Sequence, residues 1–221
     1  MLGVTGGVGA GKSTVLGFLE DRYGADVIEL DRVAREMQQP GGECYGPMVR
    51  LLGEECLRED GQLDRAAAAE KIYRSPQLRE KINEIVHPAV KRRVLRHLRR
   101  KEEDAVSAAG RTGTEESPVP RALTVIESAL LIDDHYEEIC DEIWYIHAAE
   151  QKRRERLKAS RGYSDERIDR MLGAQRSEES FRENAQTVID NTDDFVQNTF
   201  GQIDRALSER GFFPTEETGR I

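Results

Sequence analysis

The stretch GGVGAGKST, residues 6–14, decides the fold of this chain. It follows a short apolar segment, Met1 to Val4, and leads into an amphipathic segment, Ser13 to Tyr23. The stretch fits the pattern G-x-x-x-x-G-K-[S/T], which is a phosphate-binding loop when a strand precedes it and a helix follows it. The flanking segments supply that context, so the sequence predicts a P-loop.

Each residue type in this loop has a chemical reason. Glycine permits positive φ and brings backbone N–H groups close to a phosphate, and the opening of a helix adds further unpaired N–H groups. Lys12 supplies a cation for the β- and γ-phosphates, and the Ser13 hydroxyl is an oxygen ligand for Mg²⁺. A glycine-rich turn that precedes a helix by chance is the alternative, and about one chain in a hundred of this size would carry such a match. The predicted ATP-binding residues of the loop are Gly7, Val8, Gly9, Ala10, Gly11, Lys12, Ser13 and Thr14.

Composition limits the partners. The 221 residues are 38% hydrophobic and 34% charged, and the net charge of −9 disfavours nucleic acid or an anionic membrane as a partner. Cys44, Cys56 and Cys140 are odd in number and form no C-x-x-C pair, which indicates free thiols in a reducing compartment. No apolar run approaches the length of a membrane span. We therefore expect a cytoplasmic protein.

Short apolar runs alternate with helical patterns along the rest of the chain. This alternation predicts an α/β fold: a P-loop NTPase-type parallel sheet flanked by helices, with ligands at the carboxyl ends of the strands. We expect the second strand to lie beside the P-loop strand. After the P-loop strand, the expected strands are Ala25–Leu30, Ala122–Ile126, Glu142–Ile146 and Thr187–Ile189.

The region from Cys44 to Lys101 has helical patterns and no strand alternation. Asp64 is a predicted helix cap, and Ser75–Pro76 predicts the start of a further helix that ends at His87–Pro88. Another helix is expected from Pro88 onward. Residues 105–121 are rich in Ser, Thr, Gly and Pro and predict an exposed, flexible loop.

The P-loop alone does not separate a switch GTPase, a motor ATPase and a small-molecule kinase. The guanine-recognition pattern N-K-x-D is absent, and a kinase needs a carboxylate near the acceptor and cations near the transferred phosphoryl group. Asp31, just past the second strand, is the candidate carboxylate, and a helix N-cap is its structural alternative. Six cations within residues 152–161 are the candidate for a lid, with a solvated helix face as the alternative. Glu127 closes an apolar strand and is a candidate metal ligand or an ordinary charged strand end.

The chain resembles the dephospho-CoA kinase family over about residues 1–205. The matching features are TGGVGAGKST from Thr5, VIELDRVARE from Val27, the LDR and HP motifs at 63–65 and 87–88, the segment from Glu127 to Ile146, RERLKASRGYSDERI with Gln175 beyond it, and VIDN at 188–191. They occur in the family's order with similar spacing. Ala129 and Asp133 stand where the family has a proline and a glutamate.

The resemblance implies three parts and a reaction. The parts are a core (about 1–32, 122–147 and 186–210), a helical acceptor-binding part (about 33–104) and a lid (about 150–184), followed by a tail from 211 to 221. The implied reaction is ATP-dependent phosphorylation of the ribose 3′-hydroxyl of dephospho-CoA, the last step of coenzyme A biosynthesis. ATP, Mg²⁺ and dephospho-CoA are the implied ligands, and a monomer or weak oligomer is expected.

The resemblance also implies roles for individual residues. Asp31 would be the base or orienting group, and Arg161 and Arg154 would approach the ATP phosphates. The implied catalytic residues are Asp31, Lys12 and Arg161. Arg154, Asp190 and Asn191 would join the P-loop in binding ATP, and the acceptor would be bound by Thr5, Asp31, His87 and Leu130. The expected metal ligands, from the P-loop pattern and the strand end, are Ser13 and Glu127.

Two rival interpretations stay open from the sequence. Another P-loop small-molecule kinase, acting on a nucleoside or nucleotide, shares the P-loop but predicts a different acceptor. A nucleotide-gated regulatory module predicts slow transfer or none, and it gives Asp31 and the lid cations no clear purpose.

Overall fold

The computed structural model describes residues 1–112 and 123–215, and they form two compact units. The first unit contains residues 1–28 and 123–215, and the second contains residues 29–112. In the described part of the chain, no helix is both long enough and apolar enough to cross a membrane.

A five-stranded sheet forms the centre of the first unit. Its strands are β1 (Leu2–Thr5), β2 (Asp26–Glu29), β3 (Thr124–Glu127), β4 (Glu142–His147) and β5 (Thr187–Asp190). The order is β2-β3-β1-β4-β5, and β1 pairs in parallel with both β3 and β4. Parallel strands joined by helical connections define an α/β fold, so the predicted fold class is confirmed.

The expected position of the second strand is wrong. β3 lies between β2 and β1, so β2 is an edge strand. Residue type gives the reason, because β1 has no charged residue and is buried along its whole length, whereas β2 begins with Asp26 and ends with Glu29 and only its Ile28 is fully buried. The central position requires a strand that is apolar on both faces, and the more exposed strand takes the edge.

Helices cover the sheet because their apolar stripes need burial. The helix after the P-loop, α1 (Lys12–Tyr23), buries Val15, Leu16 and Leu19, and the last helix, α9 (Val196–Ser208), buries Ile203 in the same core. The chain beyond α9 also contributes. Phe212 packs against this core, and the Thr215 N–H donates to the carbonyl of Arg22 at 2.9 Å. The rest of the expected tail, residues 216–221, lies outside the described residues.

Three helices follow β4, and we call residues 150–183 the α6–α8 segment. They are α6 (Glu150–Arg161), α7 (Asp165–Gly173) and α8 (Glu178–Glu183). Ser164 caps α7 by accepting the N–H of Arg167, and Ser177 caps α8 in the same way. Helix α8 was not expected from the sequence, and it is only six residues long.

The second unit is helical. It contains α2 (Leu30–Met37), α3 (Tyr45–Leu52), α4 (Arg65–Arg74) and α5 (Pro76–Thr112). The Asp64 side chain accepts the N–H groups of Ala66 and Ala67 and caps α4, which confirms that prediction. Ser75 accepts the N–H of Leu78 at 3.2 Å at the start of α5.

The predicted stop at His87–Pro88 is wrong, because α5 runs through Pro88. Proline removes one helical hydrogen bond and crowds the preceding turn, which ordinarily breaks or kinks a helix. Here a buried stripe at four-residue spacing continues across the proline, so tertiary packing outweighs the local penalty. Its members are Ile82, Val86, Val90 and Val94.

The helix also contradicts part of the predicted loop at 105–121. Residues 105–112 belong to α5, and residues 113–121 lie outside the described residues. Helical continuation from a long preceding helix adds one hydrogen bond per residue, so a Ser- and Gly-containing end can still be helical.

Candidate active site

The P-loop has the backbone that its glycines permit. Gly9 and Gly11 have φ of 78° and 87°, a region that other residues rarely adopt. Side chains would also not fit, because a Cβ on Gly6 would lie 2.5 Å from the carbonyl oxygen of Ile146. Helix α1 begins at Lys12 without a side-chain cap, so its first N–H groups face the loop. The loop and helix together form an anion-binding site.

Lys12 lies between the loop and β3. Its Nζ donates to the carbonyl of Gly6 at 2.8 Å and lies 3.5 Å from the Glu127 carboxylate. Both side chains are largely buried, at 15% and 11% exposure, so their attraction is screened less than that of a surface pair. Sheet register explains the meeting, because Val4 of β1 is paired with Glu127 of β3. An acidic side chain therefore lies beside the P-loop lysine.

Two arginines of α6 contact the P-loop backbone. Arg153 Nε donates to the carbonyl of Val8 at 2.8 Å, and Arg156 Nη1 lies 3.4 Å from the carbonyl of Ala10. Neither arginine forms an ion pair with any carboxylate that the structure describes. Both guanidinium groups are half-buried. The face of α6 that meets the P-loop thus carries positive charge without an ion-pair partner among the described acids.

The two arginines singled out from the sequence lie on another face of α6. Arg154 pairs with Glu150 at 2.8 Å and with Asp169 at 2.6 Å, and its hydrogen bond to Glu150 raises the pKa of the guanidinium. Arg161 is exposed, and its guanidinium lies 5.9 Å from the ring centre of Tyr163. In this structure the contacts of both arginines are therefore within the α6–α8 segment.

Helical phase is the signal that would have separated these arginines. Leu157 is the buried residue of α6 and marks the face that packs inward. Arg153 and Arg156 are three residues apart and share one face of the helix. Arg154 and Arg161 are seven residues apart and share another face, and Leu157 lies between the two faces. The count of cations alone does not carry this information.

Asn191 is a buried support for the loop. Its Nδ2 donates to the carbonyl of Ala10 at 2.8 Å, and its Oδ1 accepts the Thr199 hydroxyl at 2.8 Å. Asn191 is 3% exposed, so its amide is committed to protein partners. The neighbouring Asp190 is exposed; it accepts the N–H and the hydroxyl of Thr192. Thr199 was not singled out in the sequence, because a buried threonine on an amphipathic helix resembles an ordinary core residue.

Thr5 and Leu130 occupy different environments within the first unit. Thr5 is fully buried at the end of β1, and its hydroxyl has no hydrogen-bond partner among the described residues. Leu130 is 50% exposed, and its N–H donates to Ser128 Oγ at 3.0 Å. An exposed leucine is available for apolar contact with a ligand, whereas Thr5 is enclosed by protein.

Asp31 and His87 belong to the second unit. The N-cap of α2 is Glu29, and Asp31 lies in the first turn of that helix. The alternative prediction, in which Asp31 is the N-cap, is therefore wrong. Asp31 is exposed and makes no hydrogen bond or ion pair with the described residues. Its carboxylate oxygens are open to solvent. His87 is half-buried in α5, immediately before Pro88.

The donor set fits a metal ion that arrives with a nucleotide. Among the described residues, no group of three or more His, Cys, Asp or Glu side chains is arranged to hold a metal by itself. Mg²⁺ in ATP sites takes only one or two protein oxygens and completes its shell with phosphates and water. The exposed Ser13 hydroxyl and the Glu127 carboxylate beside Lys12 are such oxygens.

Comparison with known proteins identifies the relatives of this chain. The family model for dephospho-CoA kinase matches residues 1–197. A dephospho-CoA kinase from Moorella thermoacetica is 38% identical over 189 residues, which span 86% of this chain and 82% of the relative. The crystal structure of TT1252 from Thermus thermophilus is 27% identical, with a TM-score of 0.73 over 94% of this chain and 96% of that chain.

A more distant structure supports the fold. Dephospho-CoA kinase from Campylobacter jejuni has a TM-score of 0.64 at 15% identity, and the alignment covers 95% of this chain and 96% of that one. The family model covers nearly all of the described residues, including the P-loop, the α6–α8 segment and β5. The resemblance seen in the sequence is confirmed, and this chain belongs to the dephospho-CoA kinase family.

Proposed function

We propose that ATP binds at the P-loop and that its γ-phosphoryl group is transferred to the 3′-hydroxyl of dephospho-CoA, with Asp31 acting on that hydroxyl. The observation that carries this proposal is the convergence of cations on the P-loop. Lys12, Arg153 and Arg156 all reach this loop, and neither arginine has an acidic partner among the described residues. Such a charge distribution is complementary to a triphosphate.

Lys12 has donors to spare for phosphate oxygens. Its ammonium group carries three N–H donors, of which one is directed to the carbonyl of Gly6. The nearby Glu127 carboxylate orients the ammonium group. With ATP bound, the remaining donors would contact the β- and γ-phosphates, and the backbone N–H groups of the loop would bind the other phosphate oxygens.

Arg156 is the α6 cation that we assign to phosphate contact. Its bond to Ala10 is long, at 3.4 Å, and uses one of five guanidinium donors. The other donors are available for the transferred group, whose charge increases on its peripheral oxygens during transfer. In this proposal Arg154 and Arg161 lie farther from the transferred phosphoryl group, because their partners belong to the α6–α8 segment.

Asp31 would orient the acceptor hydroxyl and accept its proton. An exposed carboxylate without protein partners keeps its lone pairs available for that hydrogen bond. Ser13 and Glu127 would hold Mg²⁺, Glu127 directly or through a water molecule. The bound ion would neutralise charge on the β- and γ-phosphate oxygens.

Composition supports small-molecule partners and a cytoplasmic location. The net charge of −9 disfavours nucleic acid, and three cysteines without a C-x-x-C pair suit a reducing compartment. We expect a monomer or a weak oligomer. Sedimentation at several protein concentrations tests this expectation, and a stable dimer at low concentration would contradict it.

The function is tested by acceptor selectivity. ATP and Mg²⁺ are supplied with dephospho-CoA, adenosine or a nucleotide as competing acceptors, and each product is separated by chromatography. The proposal predicts phosphate transfer that strongly favours dephospho-CoA. Transfer that favours adenosine or a nucleotide would contradict the acceptor assignment, and nucleotide binding without transfer would favour a regulatory module.

A further inference from the structure

The main chain of Val8, at the tip of the P-loop, is bound on both sides by the α6–α8 segment. Its N–H donates to Gln175 Oε1 at 3.1 Å, and its carbonyl accepts Arg153 Nε at 2.8 Å. Arg153 Nη2 also donates to Gln175 Oε1 at 2.6 Å. The three groups form a closed ring of hydrogen bonds, which we call the Val8 clamp: Val8, Arg153 and Gln175.

Two glycines make room for this clamp. A Cβ on Gly7 would lie 2.3 Å from Arg153 Nη2 and 2.6 Å from Arg153 Cζ. A Cβ on Gly9 would lie 2.9 Å from the Arg153 carbonyl oxygen. The guanidinium group therefore packs directly against loop backbone, and the start of α6 approaches the loop as closely as main chain allows.

The charge of Arg153 has only neutral partners in the clamp. A carbonyl and a side-chain amide accept its hydrogen bonds, and burial lowers the pKa of the guanidinium. An arginine stays charged at neutral pH even in such a site. The clamp thus places a positive charge at the P-loop while leaving that charge for an external anion to neutralise.

Gln175 is itself held in place by its neighbour. Arg176 makes a bidentate ion pair with Asp133, with Nη2 2.7 Å and Nε 3.0 Å from Oδ1, and its Nη1 donates to Ser180 Oγ at 2.9 Å. This anchor ties the end of α7 to the chain that follows β3. Gln175 can therefore act as a fixed acceptor for both Val8 and Arg153.

We infer that Arg153 and Gln175 are positioning residues that hold the P-loop at Val8 in the shape that receives the ATP phosphates. Arg153 acts through the loop backbone, in contrast to the direct phosphate contact assigned to Arg156. Because one oxygen of Gln175 accepts from both other members, loss of either side chain opens the ring and leaves Val8 held on one side only. This inference rests on the proposed function for its ATP site, and it does not depend on the identity of the acceptor.

The test is a double-mutant cycle on ATP binding. Arg153→Met, Gln175→Met and the double variant are compared by calorimetric titration with ATP and Mg²⁺ in the absence of acceptor. Each single variant is expected to raise the Kd for ATP about tenfold. The double variant should have a Kd no more than about threefold above that of the single variant that binds ATP more weakly. Two independent contacts would instead multiply to about a hundredfold, which would overturn the clamp.

Three controls make the result specific. Arg170→Met removes an exposed arginine whose hydrogen bond is to its own helix, and it should leave the Kd for ATP unchanged. Arg153→Lys keeps the charge but lacks the fork that reaches two acceptors, so it should recover less than half of the lost affinity on a logarithmic scale. Full recovery by lysine would show that charge alone matters and would refute the positioning role. Thermal unfolding establishes that each variant is folded. If Arg153→Met is not folded, the test is made with Gln175→Met and Arg153→Lys.

Turnover separates the clamp from the proposed function. With dephospho-CoA as acceptor, the single variants should raise KM for ATP about tenfold and leave KM for dephospho-CoA unchanged. ATP affinity that the variants do not change would overturn the clamp and leave the proposed function standing. Absence of transfer to dephospho-CoA by the wild-type chain would overturn the proposed function, while the ATP titration would still decide the clamp.

Discussion

Replacement of Asn191 by alanine is expected to weaken both the fold and the ATP site. The side chain makes two buried hydrogen bonds, each 2.8 Å long, one to Ala10 of the P-loop and one with Thr199 of α9. An unsatisfied buried group costs about 1–3 kcal/mol. After the substitution, the Ala10 carbonyl keeps a longer contact with Arg156 at 3.4 Å, and the Thr199 hydroxyl keeps one with the Asp190 carbonyl at 3.5 Å. We therefore expect values near the lower end, a total of about 2 kcal/mol.

Urea denaturation and ATP titration measure the two effects separately. Asn191→Ala should lower the free energy of unfolding by that amount and raise the Kd for ATP about tenfold, because the Ala10 carbonyl loses its principal donor. Thr199→Val is the matched control: it keeps the side-chain shape, removes one hydrogen bond and leaves the bond to the P-loop. It should lower stability by about 1 kcal/mol and change the Kd little. An Asn191→Ala variant within about 0.5 kcal/mol of wild type, with unchanged Kd, would refute the reasoning.

Three further predictions follow from other parts of the chain. Asp31→Asn should lower kcat by about 10²–10⁴-fold and leave the Kd for ATP unchanged, and near-normal turnover in a steady-state assay would exclude Asp31 as the base. Gly7→Ala should weaken ATP binding in a titration to the same degree as Arg153→Met, because the new Cβ would displace the Arg153 guanidinium, whose Nη2 lies 2.3 Å from the Cβ position. An unchanged Kd for ATP would contradict this expectation. The N–H groups of Ala67 and Ala66 hold the pKa of Asp64 below its ordinary 3.8, so this ionised cap contributes stability above that pH and loses it as the pH falls further. Asp64→Asn should therefore be less stable than wild type at pH 7 in urea denaturation, with a difference that vanishes in acid, and a constant difference would contradict the assignment.

Local chemistry made the P-loop predictable from sequence. Glycines at positive φ, a helix that starts at Lys12 and a preceding apolar strand are all encoded within residues 1–23, so their meaning does not depend on the rest of the chain. The cap at Asp64 is local in the same way. These features were predicted together with their physical reasons, and the structure has them.

Features that depend on distant contacts were not predictable in the same way. The order of strands places β3 between β1 and β2, and no short pattern in the sequence encodes which apolar strand takes the centre. Pro88 carries a strong local signal for a helix end, yet the buried stripe on either side of it continues the helix. Local propensity was outweighed by packing in that element.

In the site, too, local sequence predicted some features, and others depend on distant contacts. The sequence indicated that residues 152–161 supply cations, but not which of them meets the P-loop. That choice depends on the rotation of α6 about its axis, which places Arg153 and Arg156 on the face that meets the loop. Gln175 was noted only as part of the family resemblance, because a glutamine near the end of a helix has no chemical signature until its two hydrogen-bond donors are known.

Phosphate transfer to the ribose is tested most directly by identifying the position of phosphate in the product formed from ATP, Mg²⁺ and dephospho-CoA. Phosphorus NMR of the purified product distinguishes a new monoester on the ribose from any change in the existing diphosphate. We expect one new monoester at the ribose 3′-oxygen, formed in equal amount to the ADP released. Release of ADP with no new monoester on dephospho-CoA, or a phosphate at another position, would contradict it.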